Sequence, residues 1–113
     1  MNKRSLGSEK EKLAAEFLQK QGYHIREMNF RCRQGEIDIV AWEDRYLVFV
    51  EVKYRLDGRS GEPEEAVTPG KQQTIRRVAE YYLHRYRFPE NTPCRFDVVG
   101  IKGGEIRLIR NAF

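Results

Sequence analysis

The sequence is poor in the residues that build zinc sites and disulfide frameworks. Its 113 residues include two cysteines and two histidines. Cys32 and Cys94 are far apart in the chain and show no metal-type spacing, so we expect both to remain thiols in a reducing cytoplasm. His24 and His84 are equally isolated, which argues against zinc. This scarcity excludes the disulfide-stapled and zinc-binding classes and favours a cytoplasmic protein.

Long hydrophobic runs are also missing. No apolar stretch approaches the roughly 20 residues that cross a membrane, and the basic start of the chain is not followed by an apolar signal region. We therefore expect neither a membrane partner nor secretion. Apolar residues make up 40% of the chain and charged residues 34%, which is typical of one globular domain over residues 1–113. The net charge of +4 is compatible with a polyanionic partner without requiring one.

The sequence predicts a mixed α/β domain in the order helix, three strands, helix, two strands. The first helix is predicted over residues 8–22, with Ser8 and Glu11 as a capping box and Gly22 as its stop. A second helix is predicted to begin at Thr68-Pro69 and to end before Phe88-Pro89. The predicted strands cover residues 23–30, 36–43, 46–54, 94–101 and 105–110.

The connections between these elements predict the sheet. The first three strands are close in sequence and should form an antiparallel meander, while the second helix should cross over to a parallel strand. This predicts a mixed sheet with helices packed against it. Residues 55–70 are rich in Gly, Pro, Arg and Glu, and are predicted to form a loop. So long a loop in a small domain is more often functional than idle.

Two neighbouring strands carry charged side chains inside apolar runs. They contain Gly35-Glu36-Ile37-Asp38-Ile39 and Val48-Phe49-Val50-Glu51-Val52-Lys53. A hairpin loop of two or of four residues gives the same register, with Asp38 opposite Glu51 and Glu36 opposite Lys53. Directly opposed residues have Cβ atoms about 4.5–5.5 Å apart. Two carboxylates should therefore repel each other across this hairpin.

A hard divalent cation between Asp38 and Glu51 would turn this repulsion into binding. Mg²⁺ takes oxygen ligands from one or two carboxylates, water and phosphate. Lys53 would then lie beside the metal, where its ammonium group can orient or activate a water. The alternative is a solvated hairpin face on which Glu36 and Lys53 form an ordinary ion pair. The apolar neighbours of Glu51 and the opposed like charges count against that alternative, because buried charges are costly unless paired.

The arrangement resembles the restriction-endonuclease-like (PD-(D/E)XK) fold, whose signature is an acid, a spacer and then acid-x-Lys on the next strand. Here these would be Asp38 and Glu51-Val52-Lys53. Nearly the whole chain is similar to the YraN-like family of uncharacterised bacterial proteins, which itself resembles archaeal Holliday-junction resolvases. Lys10 departs from the family pattern, which usually has Gly there. The similarity is carried by Glu11-Lys12-Leu13-Ala14-Ala15, Asn29-Phe30-Arg31, Gly35-Glu36-Ile37-Asp38, Val48-Phe49-Val50-Glu51-Val52-Lys53 and Arg95-Phe96-Asp97-Val98-Val99.

The resemblance implies a role for each matching residue. Asp38 and Glu51 become metal-binding carboxylates for Mg²⁺ or Mn²⁺, with the backbone carbonyl of Val52 as a further ligand. Lys53 becomes the residue that orients the attacking water and stabilises charge on the phosphate. Glu11 becomes a supporting acid, on the metal or through water, unless it only completes the capping box.

Other polar residues are expected around this site. Glu36 is expected to be structural, steering Lys53, and Asp97 to form a structural ion pair with Arg95. Lys71 is a candidate phosphate or water contact. So is Gln73, and the alternative for both is a solvated helix end. Several arginines should contact phosphate without reading sequence; they are Arg31, Arg33, Arg55, Arg59, Arg76 and Arg77. The tyrosines of the second helix are expected in the core and at its rim rather than as a stacking platform; they are Tyr81, Tyr82 and Tyr86.

These features predict a metal-dependent nuclease that hydrolyses phosphodiester bonds of DNA, including branched or repair intermediates. A bound divalent ion lowers the pKa of its water and stabilises charge that develops on the phosphate. A homodimer would suit a symmetric junction. The alternative function is a non-catalytic nucleic-acid-binding or partner-binding module on the same fold. The intact set of two acids and a lysine favours the enzyme.

Overall fold

Five strands and two helices make up the part of the chain that the structure describes. The computed structural model describes the backbone of residues 3–55 and 67–113, and the side chains of residues 9–54 and 67–113. The order of elements matches the prediction from sequence. In chain order they are α1 (Lys3–Lys20), β1 (His24–Cys32), β2 (Gly35–Glu43), β3 (Tyr46–Arg55), α2 (Pro69–Arg85), β4 (Cys94–Lys102) and β5 (Glu105–Ile109).

The strands form one mixed sheet in the order β1-β2-β3-β4-β5. Neighbouring strands are antiparallel except for β3 and β4, which run parallel. A parallel pair needs a long crossover connection, and α2 lies within that connection. The predicted meander, crossover and mixed sheet are therefore confirmed.

Each face of the sheet is covered by one helix. Ala14 and Leu18 of α1 pack with Val48 and Val50 in one apolar cluster, while Ile75 and other α2 residues pack with Leu47 and Phe49 in a second. The side chains of β3 alternate between these clusters because successive residues of a strand point to opposite faces. Each fully buried side chain of this kind stabilises the fold by about 1.5–3 kcal/mol. The central strand is thus held on both sides.

The helix ends correct one prediction and confirm another. Helix α1 already begins at Lys3, so Ser8 lies inside the helix and the predicted capping box is wrong. The residues from Lys3 to Ser8 include no proline, so they can continue the helix towards the N-terminus. Helix α2 begins at Pro69 as predicted, with the Thr68 side chain accepting a hydrogen bond from the amide of Lys71. It ends at Arg85, just before the predicted Phe88-Pro89 stop. Neither described helix is long and apolar enough to cross a bilayer.

The strand ends also differ slightly from prediction. Strand β1 continues to Cys32, two residues beyond its predicted end, which leaves Arg33 and Gln34 in the turn before β2. Arg55 is the last residue of β3 rather than the first of a loop. The rest of the predicted loop falls mainly on residues outside the described part of the chain.

Candidate active site

The alternation of side chains between the two faces of the sheet is interrupted beside Asp38, the first predicted metal-binding acid. Asn29 has a φ of 58°, a left-handed conformation that few residues other than Gly and Asn adopt readily. The β1–β2 register places it opposite Asp38. On one side of this point, Phe30 and its partner Ile37 pack with α2. On the other side, Ile39 packs with α1, although residues two apart in a regular strand share one face. The sheet therefore changes the facing of its side chains at Asp38.

The β2–β3 ladder stops at the same point. Ile39 pairs with Val50, so the next opposed positions are Asp38 and Glu51. The amide of Val52 donates to Asp38 Oδ2 at 2.8 Å. The two acids are 9% and 7% exposed. The structure therefore brings together the two carboxylates and the Val52 amide, while the Val52 carbonyl as a metal ligand stays a prediction.

The electrostatics of this pair favour a bound positive charge. Burial, and then repulsion by Asp38, raise the pKa of Glu51 to about 8, against smaller opposing effects of Lys71 and Lys53. Two buried carboxylates in contact cannot readily both be ionised. A divalent cation bound between them would neutralise both carboxylates. The oxygen atoms of these two carboxylates therefore fit the preference of a hard divalent cation.

Lys53 lies beside Glu51, but its predicted partner is wrong. The Lys53 ammonium is 3.9 Å from Glu51 Oε1, and its side chain is 26% exposed. Glu36 instead forms an ion pair with Arg31 at 3.0 Å, because these two residues face each other in the β1–β2 register. Lys53 is therefore available to the carboxylate pair, and Glu36 does not steer it.

Glu11 reaches the same region from α1. Its Oε2 atom is buried and has no hydrogen-bond partner among the described residues. Burial and the charge of Asp38 raise the pKa of Glu11, and the nearby Asn29 side chain lowers it in part. The capping box is wrong, and the role of Glu11 as a supporting acid stays a prediction. Sequence reasoning gave Asn29 no role, although an Asn inside a strand-like run is a signal for a left-handed residue.

The number of carboxylates limits the kind of metal site. Within residues 9–54 and 67–113, no three His, Cys, Asp or Glu side chains form a group that could hold a metal ion. Asp38, Glu51 and the Val52 carbonyl would supply part of a coordination shell and leave the rest to water or substrate phosphate. Mg²⁺ is commonly bound in this way. This arrangement favours action of Glu11 through water rather than as a direct ligand.

The predicted basic contacts divide into two groups. Arg31 and Arg33 are exposed on and after β1, and Lys71 is half-buried. Lys71 is close enough to Glu51 to lower its pKa in part. Gln73 is exposed on the same helix. The position of Lys71 therefore fits a phosphate contact. For Gln73, a phosphate contact and a solvated helix end fit equally well.

The remaining predicted arginines are placed elsewhere or not described. The Arg76 guanidinium lies 4.8 Å from the Phe96 ring and 5.6 Å from the Phe113 ring, so it packs against the C-terminal aromatic residues. The side chain of Arg55 and the whole of Arg59 fall outside the described residues. The proposed phosphate contacts of these three residues stay predictions.

Asp97 shows what a purely structural buried acid looks like in this fold. Arg95 donates to both of its oxygens at 2.9 Å, and the Tyr23 hydroxyl donates to Oδ2 at 2.6 Å. The amide of Asn111 adds a bond to Oδ1 at 2.9 Å. The predicted ion pair with Arg95 is confirmed. Four donors neutralise this carboxylate, whereas among the described residues the Asp38–Glu51 pair has one backbone donor, to Asp38, and the nearby ammonium groups of Lys53 and Lys71.

Comparison with known proteins identifies relatives along almost the whole chain. The model of "Uncharacterised protein family UPF0102" matches residues 10–101. A UPF0102 protein of Lachnoclostridium phytofermentans is 59% identical over 113 residues, which cover 100% of this chain and 96% of that protein. One from Caldicellulosiruptor saccharolyticus is 48% identical over 119 residues, with 100% of both chains covered. One from Nitrosococcus oceani is 43% identical over 114 residues, covering 97% and 92%. The resemblance to the YraN-like family is thereby confirmed.

Proposed function

The chain belongs to the UPF0102 family, and from its site we propose that it is a metal-dependent nuclease with a restriction-endonuclease-like fold. The substrate would be DNA, including branched or repair intermediates. One observation carries the proposal. Two buried carboxylates, Asp38 and Glu51, meet where the β2–β3 ladder stops, and Lys53 lies next to them. A protein that only bound nucleic acid would gain nothing from opposed carboxylates near phosphate.

The residues that would hold the ion are Asp38, Glu51 and the Val52 carbonyl. A Mg²⁺ or Mn²⁺ ion held there would lower the pKa of water and neutralise charge on the phosphate. The amide of Val52 already fixes the Asp38 carboxylate, so this ligand needs little reordering. Preorganised groups of this kind avoid a reorganisation cost during the reaction.

The chemistry assigned to Lys53 and Glu11 follows from their positions. Hydrolysis forms one bond from a water oxygen to phosphorus and breaks one phosphorus–oxygen ester bond, and negative charge grows on the phosphate oxygens. The ammonium of Lys53 lies 3.9 Å from Glu51 Oε1 and its side chain is partly exposed, so it would orient the water and stabilise that charge. Glu11, whose pKa is raised, would accept or return a proton through water.

The direct test is cleavage by the Lys53→Met variant. The proposal predicts that wild type cleaves at least one of linear, single-stranded, flap or four-way DNA in Mg²⁺, and not in chelator. Lys53→Met should lose about 10²–10³-fold in rate, as other enzymes do when one preorganised stabilising group is removed. Its thermal midpoint should stay near that of wild type, because a partly exposed ion pair contributes only about 0–1 kcal/mol.

Two outcomes would contradict parts of this proposal. A fully active Lys53→Met enzyme would show that the lysine has no catalytic role. A wild-type protein that binds these DNAs, or RNA, and cleaves none of them would favour the non-catalytic binding module instead.

A further inference from the structure

A cleft of about 750 Å³ lies between the β1–β2 hairpin and the C-terminal half of α2. The hairpin contributes Asn29, Arg31 and Arg33, and the helix contributes Tyr81 and Arg85. A second cleft of about 320 Å³ adjoins it and also includes Tyr81. Tyr81 thus stands on the wall that the two clefts share.

The tyrosines of α2 do not share one environment. Tyr82 is fully buried, as expected for the core, whereas Tyr81 and Tyr86 are each 38% exposed. The Tyr86 ring is already contacted by the guanidinium groups of Arg26 and Arg85. Tyr81 has a single ring neighbour among the described side chains, Phe30, at 6.1 Å. Tyr81 therefore offers an aromatic surface to the cleft.

The charge of the cleft is mainly positive. Its lining includes three arginines, which are Arg31, Arg33 and Arg85, and one acid, Glu27. Glu27 accepts a hydrogen bond from the buried Tyr82 hydroxyl, which ties it to the protein. An exposed ring flanked by guanidinium groups suits nucleic acid with an unpaired base, because every base has a face that stacks and every nucleotide carries a phosphate.

The cleft borders the candidate active site at β1. Asn29 lines the cleft, and its side chain lies close enough to Glu11 to lower the pKa of that acid in part. Arg31 lines the cleft as well and is ion-paired with Glu36, two residues from Asp38. A strand that left the cleft along β1 would therefore run towards the carboxylates.

We propose that this cleft holds an unpaired nucleotide of the substrate, with its base stacked on Tyr81 and its phosphates on Arg33 and Arg85. The inference rests on the proposed nuclease function and names a feature of its substrate: a single-stranded segment next to the scissile phosphate. A fully paired, blunt duplex has no base free to enter the cleft. The cleft therefore selects frayed, flapped or branched nucleic acid over continuous duplex.

The test measures binding without catalysis. Fluorescence anisotropy in chelator compares a 12-nucleotide single strand with a blunt duplex of the same sequence. Tyr81→Ala should weaken single-strand binding by about 5–150-fold, the range expected for loss of one stacked base, and should change duplex binding little. Tyr81→Phe keeps the ring and should bind like wild type. A 2-aminopurine placed in the single strand should be quenched by wild type and Tyr81→Phe, but not by Tyr81→Ala.

Two matched arginine variants distinguish binding in the cleft from attraction to the general positive charge of the protein. Arg33 lies in the β1–β2 turn and Arg45 in the β2–β3 turn, at opposite ends of β2. Both changes to alanine remove one charge, and Arg33→Ala should weaken single-strand binding several-fold more than Arg45→Ala.

The inference is overturned if wild type fails to bind the single strand, or if Tyr81→Ala binds and quenches like wild type. An equal loss on single strand and duplex would also overturn it. Failure of the nuclease proposal is distinct, because it would appear as absent cleavage with cleft binding intact. Cleavage with no effect of Tyr81→Ala would instead reject the cleft alone.

Discussion

At the residue scale, the buried acids differ in what neutralises them. Asp97 accepts four hydrogen bonds from Arg95, Tyr23 and Asn111. Asp38 accepts one from the amide of Val52 and faces Glu51. A buried charge without enough donors must be paired, protonated or bound to a cation. The Asp38–Glu51 pair is therefore the proposed cation site, and Asp97 is a structural acid.

This difference predicts an unusual pH dependence in the absence of metal. Folding raises the pKa of Glu51 from 4.5 to about 8, so the folded chain binds a proton that the unfolded chain releases between these values. The free energy of unfolding in chelator should fall as pH rises from about 5 to about 8, by at most about 1.4 kcal/mol per pH unit. Denaturant titrations at several pH values measure this slope.

Glu51→Gln is the control for this effect. The amide cannot titrate, so most of the slope should disappear in the variant. Added Mg²⁺ should restore the stability of wild type at high pH and leave Glu51→Gln almost unchanged. If Glu51→Gln kept the full wild-type dependence of unfolding free energy on pH, the titrating group would not be Glu51.

At the scale of elements, the hairpin register was predicted and the break at Asn29 was not, because the signal of one Asn in a strand-like run was not used. Loops of two or four residues preserve the opposition of Asp38 and Glu51, and the alternation of β3 follows from its sequence. The predicted partner of Glu36, Lys53, was wrong because only the β2–β3 hairpin was considered. Glu36 pairs instead with Arg31 on β1. The start of α1 was wrong because a Ser with a Glu three residues on also occurs inside helices.

The break predicts how substitutions at Asn29 behave. Asn29→Ala forces a residue with a Cβ and no polar side chain into the left-handed region, which should destabilise the fold by about 1–2 kcal/mol. Asn29→Gly tolerates that conformation and should stay closer to wild type in thermal unfolding. Both variants lose the Asn29 side chain, which lies near Glu11 and lowers its pKa in part, so a shared loss of activity would isolate the role of that side chain. Equal stability of the two variants would contradict the importance of the backbone conformation.

At the scale of the whole molecule, the modest net charge of +4 and the exposed arginines beside the site predict salt-dependent binding to nucleic acid. Displaced counterions drive such association, so the logarithm of affinity should fall linearly with the logarithm of salt concentration. For three or four phosphate contacts, affinity should fall about 40–150-fold for duplex DNA, and about 20–50-fold for a single strand, between 50 and 200 mM salt. Anisotropy titrations in chelator give the slope, and an affinity insensitive to salt would favour a protein partner.

The Asp38–Glu51 pair is proposed to hold a divalent cation. Calorimetric titration of Mn²⁺ into the apo protein at pH 8 measures this binding. Wild type should bind one ion at this site and Asp38→Asn should not, whereas Glu36→Gln, which changes a neighbouring acid paired with Arg31, should bind within a few-fold of wild type. Equal binding by all three proteins, or none by wild type, would contradict the account.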